Sequence, residues 1–288
     1  MSAATWTLAV VALALASSGS VEARLQPLAR AQEQAAPQEL TFDHTHAAWT
    51  RILERHVQDD RFDYEALVLE RGPLDEYLLS LRGVQAADFA QWEREQRQAF
   101  WINAYNAFTV ELVLSRYPVR SIQLIATPAE TPWSREFVPL GHLIGGSEAS
   151  KISLDTIEHG ILRPQIQDAR AHVALYRACE SSPPLREEAY QAGRLERQLN
   201  VHVHAWLADR RYNRFEPEER RVLVSELFDW IEADLVRDKG SVKAWLAFHV
   251  PLDVATWLAA DLLADEEQIQ IEYLPWSWKL NDIEREGR

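Results

Sequence analysis

Cysteine is nearly absent from this sequence, which contains a single one, Cys179. One cysteine excludes an intramolecular disulfide and a zinc site built from several cysteines. Glycine is also scarce, at 10 of 288 residues, which is about half its usual share of ~7%. Eleven tryptophans supply large aromatic side chains. Together these features predict a helix-rich chain with a bulky core.

Positively charged residues are also few, because the sequence contains 30 Lys and Arg against 44 Asp and Glu, which gives a formal net charge of −14. Phosphate groups would be repelled, so we expect no nucleic-acid partner. Hydrophobic residues make up 47% and charged residues 26%, which is ordinary globular usage and excludes a disordered tail or a membrane bundle. We expect one packed domain, since no repeat or linker divides the body of the chain.

The apolar run near the N-terminus, residues 5–16, is shorter than the ~20 residues of a membrane-spanning helix. Small residues and then Val21-Glu22-Ala23 follow, which has the form of a processing site. We predict a signal peptide over residues 1–23, a flexible leader over 24–40 and the folded domain over 41–288, located in the periplasm or outside the cell. No Lys or Arg precedes the run, so the alternative is an uncleaved leader, the only route by which we expect membrane contact.

The pattern of apolar residues predicts a helix-dominated α+β domain packed around a small β-sheet. Residues 93–117 are apolar around most of a helix and stop at Pro118, which is typical of a central buried helix. A second helix should begin at Ser153 or Asp155, and Asp155 with Glu158 has the capping-box form. Three segments have the alternation of short strands, at residues 172–178, 221–225 and 268–274.

Two amides, Asn103 and Asn106, stand three residues apart on the central helix and therefore share a face. A buried amide left without a partner costs about 1–3 kcal/mol, so both must be satisfied. One interpretation is that they bond the backbone of a neighbouring loop and fix the fold. The other is that they line a polar ligand pocket.

A second group of polar residues follows later in the chain. His159 and Arg163 share a helix face at i, i+4, whereas Glu158 and His159 diverge because they are adjacent. His172 opens a predicted strand whose end delivers Cys179 and Ser182 into a double-proline turn. We therefore expect eight residues at one site. The catalytic candidates are Ser182, His172 and His159, and the ligand-binding candidates are Asn103, Asn106, Glu158, Arg163 and Arg186. Structural roles are the alternative for each, because serines initiate turns and a lone cysteine is commonly core filling.

No metal and no cofactor are expected. His44 with His46, and His202 with His204, stand two residues apart, a spacing that points the rings apart on a helix. Phosphate-binding glycine motifs, a G-x-S-x-G turn and an H-E-x-x-H zinc motif are all missing.

Four ordered motifs resemble the domain of unknown function 547 family. They are residues 100–107 (FWINAYNA), 153–163 (SLDTIEHGILR), 172–175 (HVAL) and 183–186 (PPLR), and the similarity continues to 273–281 (YLPWSWKLN). The resemblance implies a bacterial protein of the exported type and no established activity.

The chain departs from that family at two positions. Members usually carry Asn-Cys after the His-x-Ala-Leu motif and a second Cys just before Pro-Pro, whereas Tyr176, Arg177 and Ser182 stand here. If relatives use a thiol as nucleophile, this chain has lost it or uses the weaker nucleophile Ser182. If the two cysteines are a structural pair, this chain lacks only a covalent link.

Two functions follow from these observations. The first is a non-catalytic or degraded-site periplasmic module in which Arg163 and Arg186 hold an anionic or carboxylate-bearing ligand, with a small molecule or peptide as the partner. The alternative is a hydrolase or acyl transferase of thiol-enzyme type in which Ser182 replaces a family cysteine.

Overall fold

The computed structural model describes residues 42–264 and 268–284, which all belong to one compact unit. The predicted signal peptide over residues 1–23 and the leader over 24–40 lie outside the described residues. Within them, no helix is long and apolar enough to cross a membrane.

Helices dominate the first part of the unit. They are α1 (Ala47–His56), α2 (Tyr64–Leu69), α3 (Gly72–Arg82), α4 (Ala86–Phe89) and α5 (Arg94–Leu114), with a short hairpin of β1 (Val57–Gln58) and β2 (Arg61–Phe62) after α1. The predicted central helix is confirmed as α5, in which Phe100, Trp101 and Tyr105 are among the buried side chains. A capping box between Glu93 and Gln96 starts α5, and satisfies backbone N–H groups that would otherwise be unpaired.

The second part alternates short helices with three strands. A π-helix (Thr156–Ile166) is followed by α6 (Ala171–Ala174), α7 (Leu195–Ala208), β3 (Arg214–Glu216), β4 (Arg221–Ser225), α8 (Leu227–Trp230), α9 (Glu232–Lys239), α10 (Val242–His249), α11 (Leu252–Leu262) and β5 (Gln270–Leu274). Single turns of 3-10 helix occur at Ile122–Ile125, Gly141–Ile144, Ala192–Arg194 and Pro217–Glu219.

The small sheet has the order β3-β4-β5. β3 and β4 are antiparallel, with Phe215 opposite Val222, and β4 and β5 are parallel, with Val224 opposite Tyr273. The predicted strands at 221–225 and 268–274 are therefore confirmed, the latter as β5. The helix-dominated α+β class is confirmed as well.

Two clusters of buried apolar side chains hold the unit together. The larger surrounds α5, and the smaller gathers residues of α7 to α11 and the sheet, such as Trp206, Phe228 and Trp245. Ala174 and Leu175 belong to the larger cluster and Val173 to the smaller, so the segment around α6 lies where the two meet.

The predicted strand over residues 172–178 is wrong. The chain forms α6 there and then continues without a regular element to a single bridge between Cys179 and Leu280. Every residue from Ala171 to Cys179 is buried. In a segment that is buried on all sides, apolar residues can occupy every position, so alternation of apolar and polar residues does not identify a strand there.

The second predicted helix exists, but its geometry differs from the prediction. Ser153 caps it through a 3.0 Å bond from the Thr156 N–H, while Asp155 makes no capping bond and Glu158 turns inward. Pro164 lies inside this helix and Gln167 N donates to the carbonyl of Leu162, an i to i−5 bond of 3.1 Å. A proline lacks the N–H that an α-helical turn needs, and a wider π turn accommodates its ring.

Candidate functional site

Both candidate asparagines anchor backbone. Asn103 Nδ2 donates to the Tyr190 carbonyl at 2.7 Å and its Oδ1 accepts from the Tyr190 N–H at 3.0 Å. Asn106 makes the same pair of bonds to the Ala174 carbonyl and the Tyr176 N–H, at 2.9 and 2.8 Å. The prediction that these amides are buried and hydrogen-bonded is confirmed, and their bonds hold two loop segments against α5.

The Ser182 hydroxyl bonds its own turn. It accepts from the Arg177 N–H at 2.9 Å and donates to the Pro183 carbonyl at 3.0 Å, and the side chain is fully buried. A nucleophilic serine needs a base to accept its proton. Here a backbone carbonyl accepts that proton, so the geometry fits a structural role for the hydroxyl.

Cys179 lies three residues earlier and is buried. Burial raises the pKa of its thiol to about 12, although Arg177 and backbone hydrogen bonds oppose the rise. The thiolate is the reactive form of cysteine, so this side chain is inert at neutral pH.

His172 lies between two carboxylates. Its Nδ1 is 2.8 Å from Glu158 Oε1 and its Nε2 is 3.0 Å from Asp234 Oδ2. Burial disfavours the charged ring, but the hydrogen bonds to Asp234 and Glu158 outweigh it and raise the pKa of His172. Each ring nitrogen already faces a carboxylate oxygen, so neither is free to accept a proton from a substrate.

Glu158 is shared between His172 and Arg177. Its Oε1 also accepts from Arg177 Nη2 at 2.6 Å, while Arg177 Nη1 donates to the carbonyls of His172 and Leu175 at 3.2 and 3.1 Å. Burial raises the pKa of Glu158, but Arg177 and His172 outweigh it and bring that pKa down to about 2. A carboxylate with so low a pKa is a poor proton acceptor at neutral pH.

Asp234 closes the network from α9. Arg163 Nε donates to Asp234 Oδ2 at 2.5 Å, and Arg237 Nη1 lies 2.7 Å from Oδ1. Burial raises the pKa of Asp234, and the bonds from His172 and Arg163 outweigh it and lower the pKa below its usual range. We call the linked groups Glu158, His172, Arg177, Asp234 and Arg163 the ion network.

A cavity of about 360 Å³ opens beside the ion network. Its lining combines charged groups with indole rings, namely Thr131, Trp133, Asp155, Glu158, His159, Arg177, Trp230, Ile231 and Trp278. We call it the indole cavity. Neither Arg163 nor Arg186 lines it, and Arg186 instead forms an ion pair with Glu188.

Three segments bring the tryptophans together. Trp133 comes from the irregular stretch before the π-helix and Trp230 from the end of α8, while Trp276 and Trp278 follow β5. The centroid of the Trp278 ring is 5.0 Å from that of Trp133, 5.9 Å from that of Trp230 and 5.5 Å from that of Trp276. The four rings form one continuous aromatic surface.

Backbone bonds fix this arrangement. Asp155 N donates to the Trp133 carbonyl at 3.0 Å, and Glu180 N donates to the Lys279 carbonyl at 2.9 Å. The second bond ties the segment that carries Trp278 to the turn that carries Ser182. The loops that hold the ion network therefore also fix the positions of the indole rings.

The sequence placed Glu158, His172, Arg163 and His159 among the eight residues of one expected site. In the structure Glu158 bonds His172 directly, Asp234 connects His172 to Arg163, and His159 lines the indole cavity. Asp234 and the tryptophans were not predicted as parts of the site. The sequence feature that could have identified the tryptophans was the motif at 273–281, because it contains Trp276 and Trp278.

One histidine of each pair lies within hydrogen-bond distance of a tyrosine hydroxyl. His46 Nδ1 is 2.8 Å from the Tyr77 hydroxyl, and His202 Nδ1 is 2.6 Å from the Tyr190 hydroxyl. Across residues 42–264 and 268–284, no group of three or more His, Cys, Asp or Glu is arranged to hold a metal ion.

Comparison with known proteins gives one match. Residues 89–207 match a family described as "Protein of unknown function, DUF547". No curated protein and no solved structure matches the chain. The matched range includes Asp155, Glu158, His172 and Arg177, whereas Asp234 and three of the four tryptophans lie beyond it.

Proposed function

We propose that this chain, which contains a DUF547 family domain, is a non-catalytic binding protein that holds a small molecule in the indole cavity. The observation that carries the proposal is the place of Arg177. It stands where the family usually has a cysteine, and its guanidinium is bonded to Glu158 and to the backbone of His172.

If the cysteine that the family resemblance implies at residue 177 acts as a nucleophile in relatives, this chain lacks that nucleophile. With arginine there, the position offers a cation in place of a nucleophile. The His172 ring is occupied at both nitrogens. These contacts support a site that has lost catalytic function, and they argue against the alternative in which Ser182 acts as the nucleophile.

The binding role is supported by the indole cavity. Ligand sites combine apolar and aromatic walls with a few polar groups that fix orientation, in volumes of about 300–1,000 Å³. The cavity has three indole rings, and Asp155 and His159 are available at its wall. Because Arg163 and Arg186 are bonded to Asp234 and Glu188, an anionic ligand held by those two arginines is the less favoured form of the proposal.

We further propose that the protein works in the periplasm or outside the cell after its signal peptide is removed. The support is the apolar run at residues 5–16 with Val21-Glu22-Ala23 after it. The single buried cysteine is compatible with an oxidising compartment.

The test titrates the purified protein with choline, glucose and acetate and follows tryptophan fluorescence. We expect saturable binding of at least one probe, with a Kd of about 1 mM or tighter, that Trp278→Leu removes and Trp257→Leu retains. Trp257 is the matched control because it lies on α11 and does not line the indole cavity. No saturable response to any probe, or an equal response in Trp278→Leu, would refute the binding role.

The enzymatic alternative is tested with p-nitrophenyl acetate and a peptide substrate. We expect no turnover above a heat-denatured control. Turnover that Ser182→Ala abolishes and Ser181→Ala retains would overturn the non-catalytic proposal, since each variant loses one hydroxyl that accepts from a backbone N–H.

A further inference from the structure

Two carboxylates, those of Glu158 and Asp155, line the indole cavity, and they differ in their partners. Glu158 is paired with Arg177 and His172 inside the ion network. Asp155 also lines the cavity, and within the described residues its carboxylate has no hydrogen bond or ion pair. Of the two carboxylates that line the cavity, Asp155 is therefore the one that Arg177 does not pair.

Asp155 is half-buried, and burial disfavours the ionised form of its carboxyl group. Burial raises the pKa of Asp155, and His159 only partly opposes it. The N-terminal end of a helix stabilises a carboxylate, but that stabilisation does not offset the burial here. A bound cation would supply the missing partner.

The groups around the cavity strengthen this preference. Asp229 and Glu232 flank Trp230 and are exposed. Lys279, the cation next to Trp278, is paired with Glu180 and Glu284. Within the described residues, an anionic ligand would therefore meet the Asp155 carboxylate in the cavity, while the neighbouring Lys279 is already paired.

Three indole rings form most of the remaining wall. The faces of an indole ring carry negative charge density and attract a cation within about 6 Å of the ring centre. The rings of Trp230 and Trp278 are nearly parallel, at 9°, and Trp133 is inclined to Trp278 by 58°. A metal ion would need several oxygen ligands, whereas an alkylated ammonium group needs only apolar surface and one nearby carboxylate.

We propose, on the basis of the binding function above, that the ligand is a small organic cation of the trimethylammonium class. Its methyl groups pack on Trp133, Trp230 and Trp278, and its charge lies beside Asp155.

The test compares choline with 3,3-dimethyl-1-butanol, which has the same shape without the charge. Calorimetric titration of the full protein is expected to give choline at least about tenfold tighter binding than the neutral alcohol. Asp155→Asn is expected to weaken choline about tenfold and leave the alcohol unchanged. Asp253→Asn, which removes an exposed carboxylate of α11, is the matched control and keeps wild-type affinity.

Trp230→Leu provides a second variant, because Trp230 is 38% exposed and its loss should leave the fold intact. It is expected to weaken choline by about fivefold or more. Equal binding of choline and the alcohol, or unchanged choline affinity in Asp155→Asn, would overturn the cation proposal. Binding of glucose or acetate in place of choline, abolished by Trp278→Leu, would also overturn it but leave the binding function standing; failure of every probe would refute both.

Discussion

Arg177→Met is the most informative perturbation of the ion network. It removes the guanidinium that bonds Glu158 and two backbone carbonyls while it keeps most of the side-chain volume. Breaking a buried ion pair on one side costs about 3–5 kcal/mol, because the other charge stays buried.

The pKa of Glu158 gives an independent magnitude. Its fall from 4.5 to about 2 corresponds to about 3 kcal/mol, at about 1.4 kcal/mol for each pKa unit. Because the folded pKa lies below the unfolded one, this stabilisation is fully present above pH 4.5 and is lost as the pH falls towards 2. The two magnitudes agree, so we expect Arg177→Met to lower the free energy of unfolding by about 3–5 kcal/mol at pH 7.

Urea denaturation at pH 7 and pH 4 measures the effect. The difference between Arg177→Met and the wild type should shrink by about 1 kcal/mol at the lower pH, where part of the wild-type stabilisation is already lost. Arg221→Met is the control, because its ion pair with Glu216 is on the surface, where solvent screens the interaction and the change in stability is expected to be small. A loss below about 1 kcal/mol at pH 7 with an unchanged m-value would refute the reasoning.

Three further predictions concern other parts of the chain. Asn103→Leu leaves both backbone groups of Tyr190 unpaired, and urea denaturation should show a loss of about 1–3 kcal/mol for each group; an unchanged midpoint at unchanged m would contradict this. Burial lowers the pKa of both His46 and His202 from 6.5 to about 3. The free energy of unfolding should therefore be highest above pH 6.5 and fall below it by up to about 1.4 kcal/mol per pH unit for each histidine. His202→Gln should make the free energy of unfolding less dependent on pH, and an equally steep dependence would contradict this prediction. Mass spectrometry of the exported protein should find a mature N-terminus after Ala23, whereas an intact Met1 in a cytoplasmic fraction would exclude export.

The local features of the fold were predictable from the sequence. Residues 93–117 could be identified as a buried helix because apolar residues cover nearly its whole circumference. β4 was identified within its bounds, since alternation is informative where burial also alternates along the strand, as it does over most of Arg221–Ser225. At residues 172–178 the same pattern misled because the whole segment is enclosed.

The site was only partly predictable, because its contacts join distant parts of the chain. His172 meets Glu158 14 residues away and Asp234 62 residues away, and no periodic pattern reports such a pairing. Asp234 stands on α9 among other charged residues, where it resembles a solvated surface group. The tryptophans were counted as core material, which is the commoner use of an indole ring.

The distribution of the site over the chain limits how it can be divided. Trp230, Asp234, Trp276 and Trp278 lie outside the segment that matches the family. A fragment cut at residues 89 and 207 would keep Glu158, His172 and Arg177 but lose the carboxylate that bonds His172 Nε2 and most of the aromatic wall. The segment that matches the family therefore does not contain the whole ion network, and the chain after residue 207 completes it through Asp234.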